Sequence, residues 1–113
     1  MIYKKKEAQA FTIPGGSSGL IYPQMPNNDH SVAYVETDGK YPESGYSLND
    51  FCTETFFIVD GAFKLEIDGI ESEIEKGDLA VILPGKKYRL EGKGKVIDMI
   101  TPAWDSKQNH IVE

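Results

Sequence analysis

Glu54–Glu75, ETFFIVDGAFKLEIDGIESEIE, decides how the rest of the chain is read. Phe63, Leu65 and Ile67 alternate with Lys64 and Glu66, and Ile70 and Ile74 then alternate with Glu71, Glu73 and Glu75. Successive side chains of an extended chain point to opposite faces, so the pattern is that of two strands, each with one apolar side. Asp68-Gly69 between them suits the positive φ angles of a tight hairpin turn. Upstream, the apolar run Thr53–Val59 closes at a similar pair, Asp60-Gly61.

Outward from this hairpin the same punctuation recurs. Gly77-Asp78 turns the chain into Leu79–Leu83, and Pro84-Gly85 ends that strand. Tyr88–Leu90 and Lys95–Ile100 follow, with Gly92-Lys93-Gly94 expected as the turn between them. On the N-terminal side Ala8–Ile13, Leu20–Tyr22 and Ser31–Thr37 read as strands, the last ending at Asp38-Gly39. Pro14–Gly19 is expected to be a loop, being too rich in glycine and serine for regular structure. No segment has apolar residues at helical spacing for three turns. Regularly spaced short strands of this kind make a sandwich or a closed barrel, with little or no helix. Thr101–Asp105 leaves the sheet at Pro102, Trp104 is expected to pack over a barrel end, and Ser106–Glu113 reads as a polar tail.

With 113 residues the chain is expected to form one domain, residues 1–113, around one modest core. It has no apolar run of the roughly 18 residues that a membrane span needs. Three lysines near the N-terminus are followed by no apolar stretch or cleavage site, so no secretory signal is read and a cytoplasmic location is expected. A net charge of −6 repels phosphate backbones and argues against nucleic acid as a partner. The basic residues between Lys86 and Lys95 read as a solvated loop and strand face. The single cysteine, Cys52, allows no intrachain disulfide and no cysteine-rich zinc site.

Glu54 followed by six residues and Gly61, then Gly77-Asp78 and Gly85 further on, resemble the two conserved motifs of the cupins. In that family the first motif runs glycine, five residues, histidine, one, histidine, three, glutamate, six, glycine. The second runs glycine, five, proline, one, glycine, two, histidine, three, asparagine. The resemblance implies an all-β fold, a double-stranded β-helix or jelly-roll barrel of the small cupin 2 type, and a homodimer formed through an N-terminal strand or an exposed sheet face. The edge that Ala8–Ile13 would otherwise leave open supports that pairing. The family's metal would be held by three histidines and the glutamate. Here the histidine positions carry Leu48, Asp50 and Tyr88, and only Glu54 remains. His30 and His110 lie outside both motifs.

If the segment stays extended throughout, Asp50, Cys52, Glu54, Phe56 and Ile58 share a face, and the family pattern turns it into the barrel with Tyr88 opposite. Asp50, Glu54 and Tyr88 offer only oxygen. Such a set suits a hard cation rather than a transition metal, and a phenol with an ordinary pKa near 10 is a poor ligand at neutral pH. No cofactor is expected; a divalent metal, if any, would use those three. A buried carboxylate must be paired, protonated or wet, so Glu54 is either a structural partner of Tyr88 or part of a pocket. If Asp50 and Glu54 converge, one would hold a proton near neutral pH, as a general acid and base pair requires. Cys52 has no histidine near it in sequence and reads as an inert buried thiol. Tyr46, Phe56, Phe63, Tyr88 and Trp104 could line an aromatic wall or simply fill the core.

Three functions are compatible with these residues. The first is binding of a small polar ligand, a sugar or organic acid, by Tyr46, Asp50, Glu54, Tyr88 and Trp104. The second is an enzyme, a sugar isomerase or epimerase using carboxylate and phenol, or a metal-dependent, dioxygenase-like cupin with unorthodox ligands. The third is a structural or interaction protein whose barrel is filled by Leu48, Phe56, Leu83 and Leu90.

Overall fold

Two long strands set the architecture, and the sequence had divided each of them at a glycine pair. The computed structural model describes all residues from Met1 to Glu113. Its strands are β1 (Gln9–Ile13), β2 (Ser17–Ile21), β3 (Ser31–Tyr41), β4 (Tyr46–Asn49), β5 (Thr53–Ile67), β6 (Ile70–Glu75), β7 (Leu79–Ile82), β8 (Tyr88–Thr101) and β9 (Asn109–Val112). The remaining regular structure is three single 3₁₀ turns, at Lys5–Glu7, Pro26–Asn28 and Ser106–Gln108. No helix is long and apolar enough to cross a membrane.

All pairings are antiparallel. β8 lies between β3 and β5 for most of its length, from Ser31 opposite Ile100 to Tyr41 opposite Leu90 on one side and from Thr53 opposite Thr101 to Ile67 opposite Tyr88 on the other. β2 continues the sheet from β3 and β1 from β2, while β6 and β7 border β5. β4 meets β8 at Ser47 opposite Tyr88 and carries β9 on its far side. The sheet curls into an all-β barrel of the jelly-roll kind, as the strand spacing predicts. Its apolar core is Phe56, Ile58, Phe63, Leu65, Ile82, Tyr88, Leu90 and Val96.

Four sequence expectations are corrected here. Asp38-Gly39, Asp60-Gly61 and Gly92-Lys93-Gly94 are not turns; they are strand interiors where the sheet bends across itself. Gly61 faces Gly94 across the β5–β8 ladder just beyond a register shift between Ile58 and Asp60. A Cβ on Gly61 would run into the Lys93 carbonyl and one on Gly94 into the Asp60 carbonyl, so these glycines allow two backbones to cross closely rather than to reverse. The glycine and serine loop is shorter than expected, because Ser17, Ser18 and Gly19 pair in β2. The polar tail is a strand: β9 satisfies its backbone on β4. Leu83 is 55 % exposed and fills no barrel.

Candidate functional site

A fifth correction decides the site. The chain does not stay extended from Leu48 to Ile58, because it bends at Asp50 and Phe51 between β4 and β5. The alternation therefore resets. On β4, Ser47 and Asn49 are buried, and on β5, Glu54, Phe56 and Ile58 are buried. Asp50, expected inside, is exposed and pairs with His110 Nε2 at 2.8 Å. Tyr46 also faces outward. Its hydroxyl donates to Glu66 Oε2 at 2.6 Å, and its ring lies under Lys87 Nζ and the Arg89 guanidinium at 4.8 and 4.7 Å. Arg89 closes that surface cluster with a 3.0 Å bond to Glu66.

Glu54 and Tyr88 do meet. Glu54 is 3 % exposed and Tyr88 1 %, and the Tyr88 hydroxyl donates to Glu54 Oε1 at 3.0 Å. Asn49 Nδ2 donates to the same oxygen at 2.8 Å. Asn49 is itself oriented by the C-terminal segment, since Gln108 Nε2 and Asn109 Nδ2 donate to its Oδ1 at 2.8 and 2.9 Å. Gln108 Oε1 in turn accepts from the backbone N–H groups of Phe51 and Cys52, holding the bend that separates β4 from β5.

The residue that sequence reading missed is Asp98. Glu54 stands opposite Ile100 and Phe56 opposite Asp98, so Glu54 and Asp98 are diagonal neighbours on adjacent strands. Asp98 is half-buried at the cavity wall; desolvation first, then the charge of Glu54, then a hydrogen bond with Glu54 hold its carboxyl well above the usual carboxylate range. Its Oδ1 is buried without a donor from any other protein group. The signal was present in Lys95–Ile100, where Asp98 sits between Val96 and Ile100 on the inward parity. Asn49 and Gln108 carried no comparable signal, because polar residues beside a turn or in a tail are ordinarily solvated.

This group opens on a cavity of about 420 Å³. Phe11, Ile13, Ile21, Val35, Phe56, Leu90, Val96 and Ile100 make its apolar walls, and Tyr41, Glu54, Tyr88, Asp98 and the Ser17–Thr37 pair supply polar groups. Gln9, exposed, and Trp104, half-buried, border it. The volume falls in the range of about 300–1,000 Å³ usual for small-molecule pockets. Burial raises the Tyr41 and Tyr88 phenols, keeping both as protonated donors at neutral pH. Cys52 is fully buried against the Pro102 carbonyl, and burial and Glu54 raise its thiol, away from nucleophilic behaviour.

The donor set does not fit a cupin metal. Of the positions corresponding to metal ligands, only Glu54 and Tyr88 reach the cavity, and no group of three or more His, Cys, Asp and Glu side chains is placed to hold an ion. Two carboxyls and two phenols that stay protonated at neutral pH are poor ligands for an ion that imidazoles ordinarily hold.

The curled antiparallel barrel and its inward Glu54 define a small cupin fold, a double-stranded β-helix. Among solved structures, it superposes on Pac13, a nucleoside dehydratase, with a TM-score of 0.89 at 17 % identity, covering 100 % of this chain and 91 % of that one. A Streptomyces Pac13 variant solved with uridine gives 0.89 at 18 % identity, covering 100 % and 90 %. An RmlC-like cupin from Shewanella frigidimarina superposes with a TM-score of 0.76 at 18 % identity, covering 93 % of each chain. The sequence itself matches no family model and no curated protein.

Proposed function

We propose that this barrel binds a small polar organic molecule of about nucleoside size and moves protons on it, with Asp98 as the acid and Glu54 as the base. The observation that carries the reading is the adjacent Glu54–Asp98 pair facing the cavity. Two neighbouring carboxyl groups on one cavity wall cannot both ionise cheaply, so they hold unequal roles at one pH. Tyr88 and Asn49 direct their donors to Glu54 and stabilise it as a carboxylate, while Asp98 is the group that keeps a proton to give. Such a pair suits elimination of water, in which the base takes a proton from carbon and the acid protonates the departing hydroxyl, and isomerisation or epimerisation, in which a proton leaves carbon and one is returned to carbon. The likeness to a nucleoside dehydratase favours elimination from a ribose-like ring, and the apolar walls suit the flat base that such a ligand would carry.

No metal and no cofactor enters this reading. The Glu54, Tyr88 and Trp104 part of the sequence-derived ligand set is retained, Asp98 and Tyr41 join it, and Tyr46 and Asp50 leave it. The protein is further proposed to work as a homodimer inside the cell, because β1 and β7 are free sheet edges and Leu79, Val81 and Phe57 leave apolar side chains on the outer face beside β7.

The test is a screen of nucleosides and sugars for thermal stabilisation, followed by product analysis with wild type, Glu54→Gln and Asp98→Asn. Either substitution should lower turnover by about 10²–10⁴-fold, the usual worth of a positioned acid or base. Wild-type turnover retained by both variants would overturn the acid–base assignment.

A further inference from the structure

The cavity has a charge selectivity that follows from what lines it. Its ionisable residues are Tyr41, Glu54, Tyr88 and Asp98, and no lysine, arginine or histidine is among the lining residues. The Lys87 and Arg89 side chains nearest in sequence to Tyr88 are taken up on the outer surface by Tyr46 and Glu66. An anionic group brought inside would lose its hydration, meet the Glu54 carboxylate and find no counter-charge.

The polar groups also have a spacing. Asp98 stands opposite Ala33 on β3, Val96 opposite Val35, and Gly94 opposite Thr37. Thr37, whose hydroxyl is bonded to Ser17 at 3.0 Å, thus lies four residues from the Asp98 level, about 13 Å along the strand. Between the two levels the wall is apolar, formed by Val35, Val96 and Phe11. A ligand that satisfies both ends has hydrogen-bonding groups at each end and a flat or apolar middle.

Resting on the reading that the cavity is a ligand site, we infer that it selects uncharged, two-ended ligands and rejects their phosphorylated or carboxylated counterparts. One end of such a ligand is read by Glu54 and Asp98, the other by Ser17 and Thr37. This removes the organic acids from the ligand classes that the sequence left open. It also specifies the neighbouring chemistry: a phosphorylated precursor must lose its phosphate before it enters.

Matched pairs test the inference: a nucleoside and its 5′-monophosphate, and a hexose and its hexuronate, titrated calorimetrically at equal ionic strength. The neutral member of at least one pair should bind, with its anionic partner at least about tenfold weaker, the size expected for one buried like charge at an effective dielectric near 20. Glu54→Gln should narrow that gap. Thr37→Val, far from the carboxyls, should weaken the neutral ligand several-fold without changing the preference for neutral over anionic. Equal or tighter binding of the anions would overturn charge selection and leave the acid–base reading standing, and an unchanged affinity in Thr37→Val would overturn the two-ended shape. Failure of every member to bind would overturn both the inference and the reading beneath it.

Discussion

Glu54 and Asp98 occupy diagonal positions on adjacent antiparallel strands, with Phe56 opposite Asp98 and Ile100 opposite Glu54. Both side chains therefore point into the barrel one step apart, and their environments divide the charge between them. Glu54 has two donors, from Asn49 and Tyr88, whereas Asp98 Oδ1 has none.

Asp98 should make the protein less stable as pH rises. Its folded carboxyl titrates above its unfolded value, so the folded chain holds a proton that the unfolded chain releases near pH 4. Its contribution is full below that pH and declines by about 1.4 kcal/mol per pH unit until the folded group titrates. Asp98→Asn, which keeps the shape and an N–H donor, should flatten this dependence and be more stable than wild type at pH 8. Urea denaturation at pH 5 and pH 8 checks it; the same pH slope in both proteins would contradict the protonated Asp98.

Asn49 should matter more to stability than its size suggests. It accepts from Gln108 and Asn109 and donates to Glu54, so Asn49→Ala breaks three hydrogen bonds and leaves Gln108 Nε2 unpaired in the interior, while Asn109 keeps Ser47 and Glu54 keeps Tyr88. A loss of about 2–4 kcal/mol is expected, against about 1–2 for Tyr88→Phe, which removes one donor and keeps the ring. Chemical denaturation of the two variants measures the difference, and an Asn49→Ala protein as stable as Tyr88→Phe would show that the relay relaxes.

Gly94→Ala should be severe, because the new Cβ meets the Asp60 backbone where β5 and β8 cross. We expect more than about 2 kcal/mol of destabilisation. Gly69→Ala, at a hairpin tip with φ +83 and nothing within 4 Å, should cost about 1 kcal/mol for the left-handed backbone alone. Thermal melts that rank the two the other way would mean the crossing is not close-packed.

Cys52 should resist modification. Its side chain is buried and its thiol raised, so an aromatic disulfide reagent should react in the native protein orders of magnitude more slowly than in urea. Rapid native labelling would place Cys52 in an open segment.

The homodimer is checked by light scattering at micromolar concentration, where twice the chain mass is expected. Val81→Asp, on the outer face of β7, should return the mass to that of one chain if that face is the contact. A monomeric wild type would remove the proposal.

The all-β class and the Phe63–Glu75 hairpin are set by local alternation and turn chemistry, which a sequence carries residue by residue, whereas the inward direction of Glu54 comes from the cupin-like spacing. Tyr88 meets Glu54, as the motif spacing implies, and Trp104 borders the cavity beyond the exit at Pro102. The glycine crossings were misread as turns because Gly61 and Gly94 serve contacts between segments far apart in the chain, and local composition cannot distinguish reversing a backbone from admitting another one. The bend at Asp50 and Phe51 reset the parity, moved Asp50 to the surface and brought Asn49 inside. Gln108, from the far end of the chain, holds that bend. Asp98 completes the site only because β8 lies against β5 in one register. Pairing across strands, not the order of residues along either strand, decides which carboxyls share a proton.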